Sequence, residues 1–198
     1  MKRIVWLFLL AVALPMTAFA SSVAFTNSGG TLSGNSTGLT LTGSTLIMDG
    51  NITGNDLGTV TFSTGALASG SLQMGGSFMS GGTFTITGNG MNGTHSGVIF
   101  TGSFSAPVTW TLVTLANGTH NYEMSGTMSG TWFTGATVYG TTVELTVNVG
   151  KGFFDRSVTL GNGITNIVTS VSPEPGSLTL LGTGLFGLAG VVRRRLRV

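Results

Sequence analysis

The chain contains no cysteine and very little charge. Without cysteine among its 198 residues there can be no disulfide, so an exported domain would depend on its core and its sheet hydrogen bonds. Charged residues make up 7% of the sequence, where about 25% is typical of soluble domains. Disordered chains combine low hydrophobicity with high net charge, whereas 41% of this sequence is hydrophobic. We therefore expect a folded domain of ordinary size with short additional segments.

Basic residues are almost absent from the middle of the sequence. Between residues 21 and 172 only Lys151 and Arg156 are basic, against five carboxylates, which gives this part a net charge of −3. The five carboxylates are Asp49, Asp56, Glu123, Glu144 and Asp155. Nucleic-acid binding needs clustered Lys and Arg that displace counterions from phosphates. The sequence therefore predicts no nucleic-acid partner.

The scarcity of charged residues and of histidines also argues against catalysis and metal binding. No local motif pairs two of the carboxylates, as the acid–base chemistry of glycoside hydrolysis requires. The two histidines, His95 and His120, each lie in an Asn-Gly-Thr-His stretch that has no further metal ligand close in sequence. We predict that the protein is not an enzyme and has no catalytic residue, no metal site and no cofactor.

The first twenty residues have the pattern of a secretory signal peptide. Lys2 and Arg3 precede an apolar run of eleven residues, 4–14, which is too short for a spanning helix. Ala18 and Ala20 then supply the small side chains that signal peptidase needs at its cleavage site. We predict a signal helix in residues 1–20, with cleavage after Ala20.

A second apolar run, of fifteen residues, occupies 178–192 and ends in a cluster of arginines. As a helix it would be about 22 Å long, short of the roughly 30 Å hydrocarbon core, so flanking residues must snorkel or the bilayer must thin. The cluster consists of Arg193, Arg194, Arg195 and Arg197. Arginines favour the cytoplasmic side. We predict a transmembrane helix that stops export, with the body in the periplasm.

Pro173, Glu174 and Pro175, the apolar run and the arginine cluster follow one another within residues 173–198. Together they resemble the PEP-CTERM sorting signal of Gram-negative bacteria. The resemblance implies that exosortase, a membrane-embedded enzyme resembling cysteine transpeptidases, reads the Pro-Glu-Pro box. It also implies that the helix and the arginines anchor the tail transiently in the inner membrane before release to the cell surface or matrix. Proteins with this signal accompany exopolysaccharide production and biofilms.

The body, residues 21–172, shows the period-two alternation of β-strands. Residues 83–87 and 143–149 alternate apolar and polar side chains, and Thr, Val and Phe suit a half-buried sheet surface. Val98, Phe100 and Phe104 fall at even spacing and are expected to share one strand face. The sequence therefore predicts an all-β body.

Turn signals divide the body into short strands. Asn117-Gly118, between two alternating runs, predicts a β-hairpin. About ten short strands at this spacing favour an antiparallel β-sandwich or a barrel-like sheet. Recurrent Ser-Gly pairs leave a β-solenoid as the alternative, although the pairs have no fixed period.

Four aromatic residues lie within thirty residues of one another. They are Trp110, Tyr122, Trp132 and Tyr139. A chain with so little charge is expected to bury its largest side chains, which favours a core role. The alternative is that these rings stack on sugars. Two functions follow: an exported structural protein of the surface or matrix without catalysis, or a carbohydrate-binding module at the cell surface. Exopolysaccharide is a partner in the second case.

Overall fold

The computed structural model describes residues 22–160 and 165–170, which belong to one compact unit, Ser21–Val171. Thirteen strands occupy most of these residues: β1 (Ser22–Ser28), β2 (Thr31–Asn35), β3 (Gly38–Asp49), β4 (Ile52–Ser63), β5 (Leu67–Ser71), β6 (Gly75–Phe78), β7 (Gly81–Asn89), β8 (Ser96–Phe104), β9 (Val108–Thr114), β10 (His120–Trp132), β11 (Thr137–Asn148), β12 (Ser157–Thr159) and β13 (Thr165–Ser170). Within the described part, the helical content is one 3-10 turn, Met91–Gly93.

All ladders between the described strands are antiparallel. The pairings run β11–β13–β1–β3–β4–β7–β8–β10, and β10 also pairs with β11. Strands β9, β6 and β5 continue from β10, while β2 and β12 branch from β3. The predicted all-β, antiparallel body is thereby confirmed. The alternative of a β-solenoid is wrong for the described strands, because a solenoid stacks parallel strands and these pairs are antiparallel.

Strand β11 shows how the sequence pattern produces the sheet. Val143, Leu145 and Val147 are buried, while Glu144 between them is exposed. The register with β10 places Leu145 opposite Met124, whose side chain is also buried. Alternation along the strand therefore separates a core face from a solvent face, as the sequence predicts.

A cluster of phenylalanines forms part of the core between β4, β7 and β8. Phe62 and Phe84 stack with ring centroids 5.8 Å apart. Phe104 meets both rings edge-on, at 6.1 Å from Phe62 and 6.4 Å from Phe84. Offset and edge-on contacts of this kind stabilise by about 0.5–1.5 kcal/mol per pair beyond their buried area. Such packing supplies stability in a chain that has no disulfide.

The predicted common face of Val98, Phe100 and Phe104 is wrong at its first position. Val98 is 49% exposed, whereas Ile99 is buried. In the pairing of β7 with β8, Ile86 lies opposite Phe100 but the next residue, Thr87, lies opposite Val98. A β-bulge therefore inserts Ile99 and reverses the alternation on its N-terminal side.

The two predicted helices, residues 1–20 and 178–192, lie outside the described residues. Among residues 22–160 and 165–170, no helix is long and apolar enough to cross a membrane.

Candidate functional site

A cleft lined by both polar and apolar side chains lies at one end of the body. Strands β2, β5, β9 and β11 run in the same direction, as successive antiparallel pairings require, so the loops that follow them meet at this end. The cleft has a volume of ≈ 650 Å³, within the range of about 300–1,000 Å³ typical of ligand sites. Its polar lining includes Ser33, Asn35, Ser71, Gln73, Asp155 and Arg156. Leu67, Leu72 and Phe154 add apolar surface.

Two buried aromatic side chains hold one wall of the cleft, the loop 72–74. Trp110 and Tyr122 come from the paired strands β9 and β10, and their rings stack with centroids 4.9 Å apart. Trp110 Nε1 donates a hydrogen bond to the carbonyl oxygen of Leu72 at 2.8 Å. The Tyr122 hydroxyl donates to the carbonyl oxygen of Gln73 at 2.6 Å. The loop is therefore fixed by side chains that themselves belong to the core.

The same tyrosine holds the second wall, the segment that leads from β11 to β12. The backbone N–H of Phe154 donates to the Tyr122 hydroxyl at 3.1 Å. The buried ring of Phe154 meets Trp110 edge-on at 5.3 Å. One hydroxyl thus accepts from one wall and donates to the other, and this arrangement sets the spacing between them.

A tight turn at Arg156 follows on this wall. Arg156 has φ +61°, in the left-handed region, and the N–H of Ser157 donates to the carbonyl oxygen of Asp155 at 2.7 Å. A three-residue turn with a positive central φ is a rare and strained γ-turn. The carbonyl oxygen of Arg156 accepts a hydrogen bond from the N–H of Gly34, on β2, at 2.7 Å. Backbone contacts therefore hold an arginine, rather than a glycine, in a strained conformation at the cleft.

The cleft lining joins charges of opposite sign with neutral polar groups. Asp155 and Arg156 are adjacent and exposed, so the side chains at the cleft mouth are open to solvent. An arginine offers five N–H donors, a carboxylate offers only acceptors, and amides and hydroxyls offer both. The cleft can therefore hydrogen-bond a ligand that carries several hydroxyl groups.

The structure does not bring the four predicted glycan-stacking residues together. Trp110 and Tyr122 are 1% and 0% exposed, which agrees with the core role that the sequence favours, and a buried ring presents no face to a sugar in solvent. Trp132 is partly buried, with its ring 5.5 Å from Phe25. Tyr139 is 61% exposed. Ten residues of β10, or about 33 Å, separate Tyr122 from Trp132.

The site residues Gln73, Phe154 and Arg156 were not predicted from the sequence. One signal was available: Lys151 and Arg156, the two basic residues of the body, lie within six residues of each other. The remaining lining residues come from segments that are far apart in sequence and follow no local pattern.

Both histidines stack on phenylalanine rings. His95 lies over Phe133 with centroids 4.4 Å apart, and His120 over Phe153 at 4.5 Å. His120 Nδ1 also lies 2.9 Å from the carbonyl oxygen of Gly152. Within the described ranges, no three His, Cys, Asp or Glu side chains are grouped closely enough to hold a metal ion.

Two carboxylates lie near turns at the opposite end of the body. Asp56, within β4, accepts from the N–H of Gly58 at 3.2 Å. Burial raises the pKa of Asp49 above its usual value, and the charge of His95 opposes this shift. Neither carboxylate belongs to the cleft.

The predicted sorting and processing residues all lie outside the described residues. These are Ala18 and Ala20, the box Pro173–Pro175 with Glu174, and Arg193, Arg194, Arg195 and Arg197.

No curated protein and no solved structure matches the chain. A family model described as the PEP-CTERM protein-sorting motif matches residues 173–195. The match begins at Pro173, the first residue of the box, and includes the apolar run and three of the four clustered arginines. The chain therefore carries a PEP-CTERM protein-sorting motif at residues 173–195, which marks it as an exported protein that exosortase sorts after transient anchoring in a membrane.

Proposed function

We propose that the protein is a non-catalytic structural component of the bacterial surface or extracellular matrix. The observation that carries this proposal is the sorting motif at residues 173–195. On this proposal the body is translocated into the periplasm and signal peptidase cuts the chain after Ala20. The arginines then keep the tail in the inner membrane until exosortase cuts near Glu174 and releases the body.

The outer surface of the body suits a hydrated polymer matrix. Hydroxyl side chains pair across strands on exposed faces: the Thr109 and Ser125 hydroxyls lie 2.6 Å apart, and those of Ser63 and Thr83 lie 3.1 Å apart. Such pairs are neutral, so salt and pH in the surroundings do not weaken them as they weaken surface ion pairs. This supports a structural role outside the cell.

Variants of the tail test the sorting route in a host that contains exosortase. Wild-type protein is expected outside the inner membrane at reduced mass. Glu174→Ala is expected to stay in the inner membrane at full length, because the residue lies outside the apolar run but inside the box. Replacing the four clustered arginines with glutamine is expected to weaken retention, since each arginine costs about 2.5–3.5 kcal/mol to place in the bilayer centre.

Glu144→Ala is the matched control, because it removes an exposed glutamate from the body and leaves the tail intact. It is expected to be processed like the wild type. Release of Glu174→Ala at the wild-type rate and mass would contradict the sorting role of the box.

The non-catalytic role needs a separate measurement. Purified protein is incubated with exopolysaccharide from the producing cells, and polymer length is followed by size-exclusion chromatography. An unchanged length distribution is expected, and progressive shortening would show that the protein is an enzyme.

The cleft favours a second candidate, a carbohydrate-binding module at the cell surface. Its lining combines donors, acceptors and apolar surface in the way that sugar recognition requires. In this case the body would bind the matrix polymer directly rather than only fill space within the matrix.

A further inference from the structure

We infer that the cleft between loop 72–74 and the Arg156 turn binds a short segment of a neutral polysaccharide, with Arg156, Asp155 and Gln73 as its hydrogen-bonding residues. The inference rests on the second of the two proposed functions and assigns it a site. It requires the cleft to be open and rigid, and its lining to match the ligand's chemistry.

The cleft is held open by the core. The Tyr122 hydroxyl bonds to both walls, and Trp110 bonds to one wall and packs against the other through Phe154. Both side chains are buried, so the walls cannot close without breaking core contacts. A site that is already formed avoids the entropic cost of ordering loops when the ligand binds.

The strained turn is an independent indication of a ligand site. Of the two non-glycine residues with positive φ in the described part of the chain, Asn92 is a type that tolerates this region, whereas Arg156 is not. Strained backbone persists where surrounding structure imposes it, and it concentrates at binding sites. Here the strained residue is Arg156, which lines the cleft together with its neighbour in sequence, Asp155.

The lining matches a neutral sugar better than a charged polymer. Arg156 and Asp155 together carry no net charge, and the body carries −3, so a polyanion gains little from long-range attraction. Hydroxyl groups of a sugar can accept from the guanidinium and donate to the carboxylate at the same time. Leu67 and Leu72 offer apolar surface to the C–H face of a sugar ring.

The test is a glycan array that carries neutral and uronic-acid oligosaccharides. The probe protein is the full chain purified in a detergent without a sugar headgroup, which would otherwise compete for the cleft. The variants are Arg156→Gln and the matched control Lys151→Gln. Both remove one positive charge within the same segment, but Lys151 does not line the cleft. Thermal melts confirm that each variant is folded.

We expect the wild type and Lys151→Gln to bind at least one neutral oligosaccharide equally, and Arg156→Gln to bind it about tenfold more weakly or worse, as the loss of a charge-assisted hydrogen bond predicts. Absence of binding to every neutral glycan would overturn the inference. So would binding to uronic-acid glycans alone, or an equal loss in both variants. Undiminished binding by Arg156→Gln would overturn the assigned site but leave the proposed carbohydrate-binding function standing, whereas absence of binding to every glycan would contradict both. Neither outcome bears on the sorting proposal, because the array does not depend on processing.

Discussion

Replacing Arg156 with glycine is expected to stabilise the protein although it removes the largest polar side chain of the cleft. A non-glycine residue in the left-handed region costs about 1–2 kcal/mol, and Arg156 has φ +61°. Glycine removes this strain but loses about 0.5–1 kcal/mol more chain entropy on folding. The hydrogen bonds of the turn join backbone groups of Asp155, Ser157 and Gly34, so the substitution preserves them. Taken at the midpoints of these ranges, the net gain is about 0.75 kcal/mol.

The assay is a thermal melt followed by circular dichroism at neutral pH. For a domain of about 150–250 residues, 1 kcal/mol shifts Tm by about 2–4 °C, so the glycine variant should melt about 1–4 °C above the wild type. Arg156→Ala is the control, because it removes the same guanidinium but keeps a Cβ in the strained conformation. If the glycine variant melts no higher than the alanine variant, the turn is not strained and the argument for the site loses its second observation.

Three further predictions concern buried or crowded positions. Tyr122→Phe leaves two backbone groups without their partner, so urea unfolding should show that the free energy of unfolding falls by about 1–3 kcal/mol. An unchanged urea midpoint would refute the bridging role of the hydroxyl. Gly58→Ala should lower the free energy of unfolding by about 1–3 kcal/mol more than Gly97→Ala. Both glycines have positive φ, but only at Gly58 would a Cβ meet a backbone carbonyl, that of Thr87. Equal losses in the two variants would exclude this steric cause. Burial raises the pKa of Asp49, so the folded state binds its proton more tightly and stability falls as pH rises from its ordinary pKa through the raised one. Asp49→Asn should therefore raise Tm at neutral pH but not at about pH 3, where the carboxyl is already protonated, and an equal effect at both values would contradict this.

The elements that follow a local pattern were predicted correctly. Residues 143–149 alternate apolar and polar residues, and the corresponding part of β11 buries every second side chain as expected. The hairpin at Asn117-Gly118 is confirmed: β9 and β10 pair in register, and the N–H of Gly118 donates to the carbonyl oxygen of Leu115 at 2.9 Å. In both cases the determinants lie within a few residues of the element that they specify.

The bulge at Ile99 could not be predicted in this way. Two consecutive apolar residues, Val98 and Ile99, each fit the core face equally well by pattern. The choice between them depends on the register with β7, where Thr87 lies opposite Val98. Register across strands is a tertiary property, so period-two reasoning along one strand cannot supply it.

The cleft was beyond local reasoning for a related reason. Its walls come from loop 72–74 and the segment around Arg156, which are about eighty residues apart in sequence. They meet because successive pairings place β5, β6, β9, β10 and β11 side by side, and the Arg156 segment follows β11. The strained φ of Arg156 cannot be predicted from the sequence, because an arginine that follows an aspartate does not indicate a positive φ. Only the charge content of 150–156 distinguished this segment from the rest of the body.

The aromatic residues show why core and binding roles were wrongly treated as alternatives. The sequence is compatible with Trp110 and Tyr122 either as core residues or as platforms that contact a sugar. Their rings are buried and stacked, yet their polar atoms bond to the backbone of Leu72, Gln73 and Phe154, which line the cleft. Because Trp and Tyr carry one polar group on a large apolar body, each can fill the core and fix a surface loop at once. Buried aromatics therefore do not argue against a binding function in this protein; they place the candidate site in the loops that these aromatics hold, and not on their ring faces.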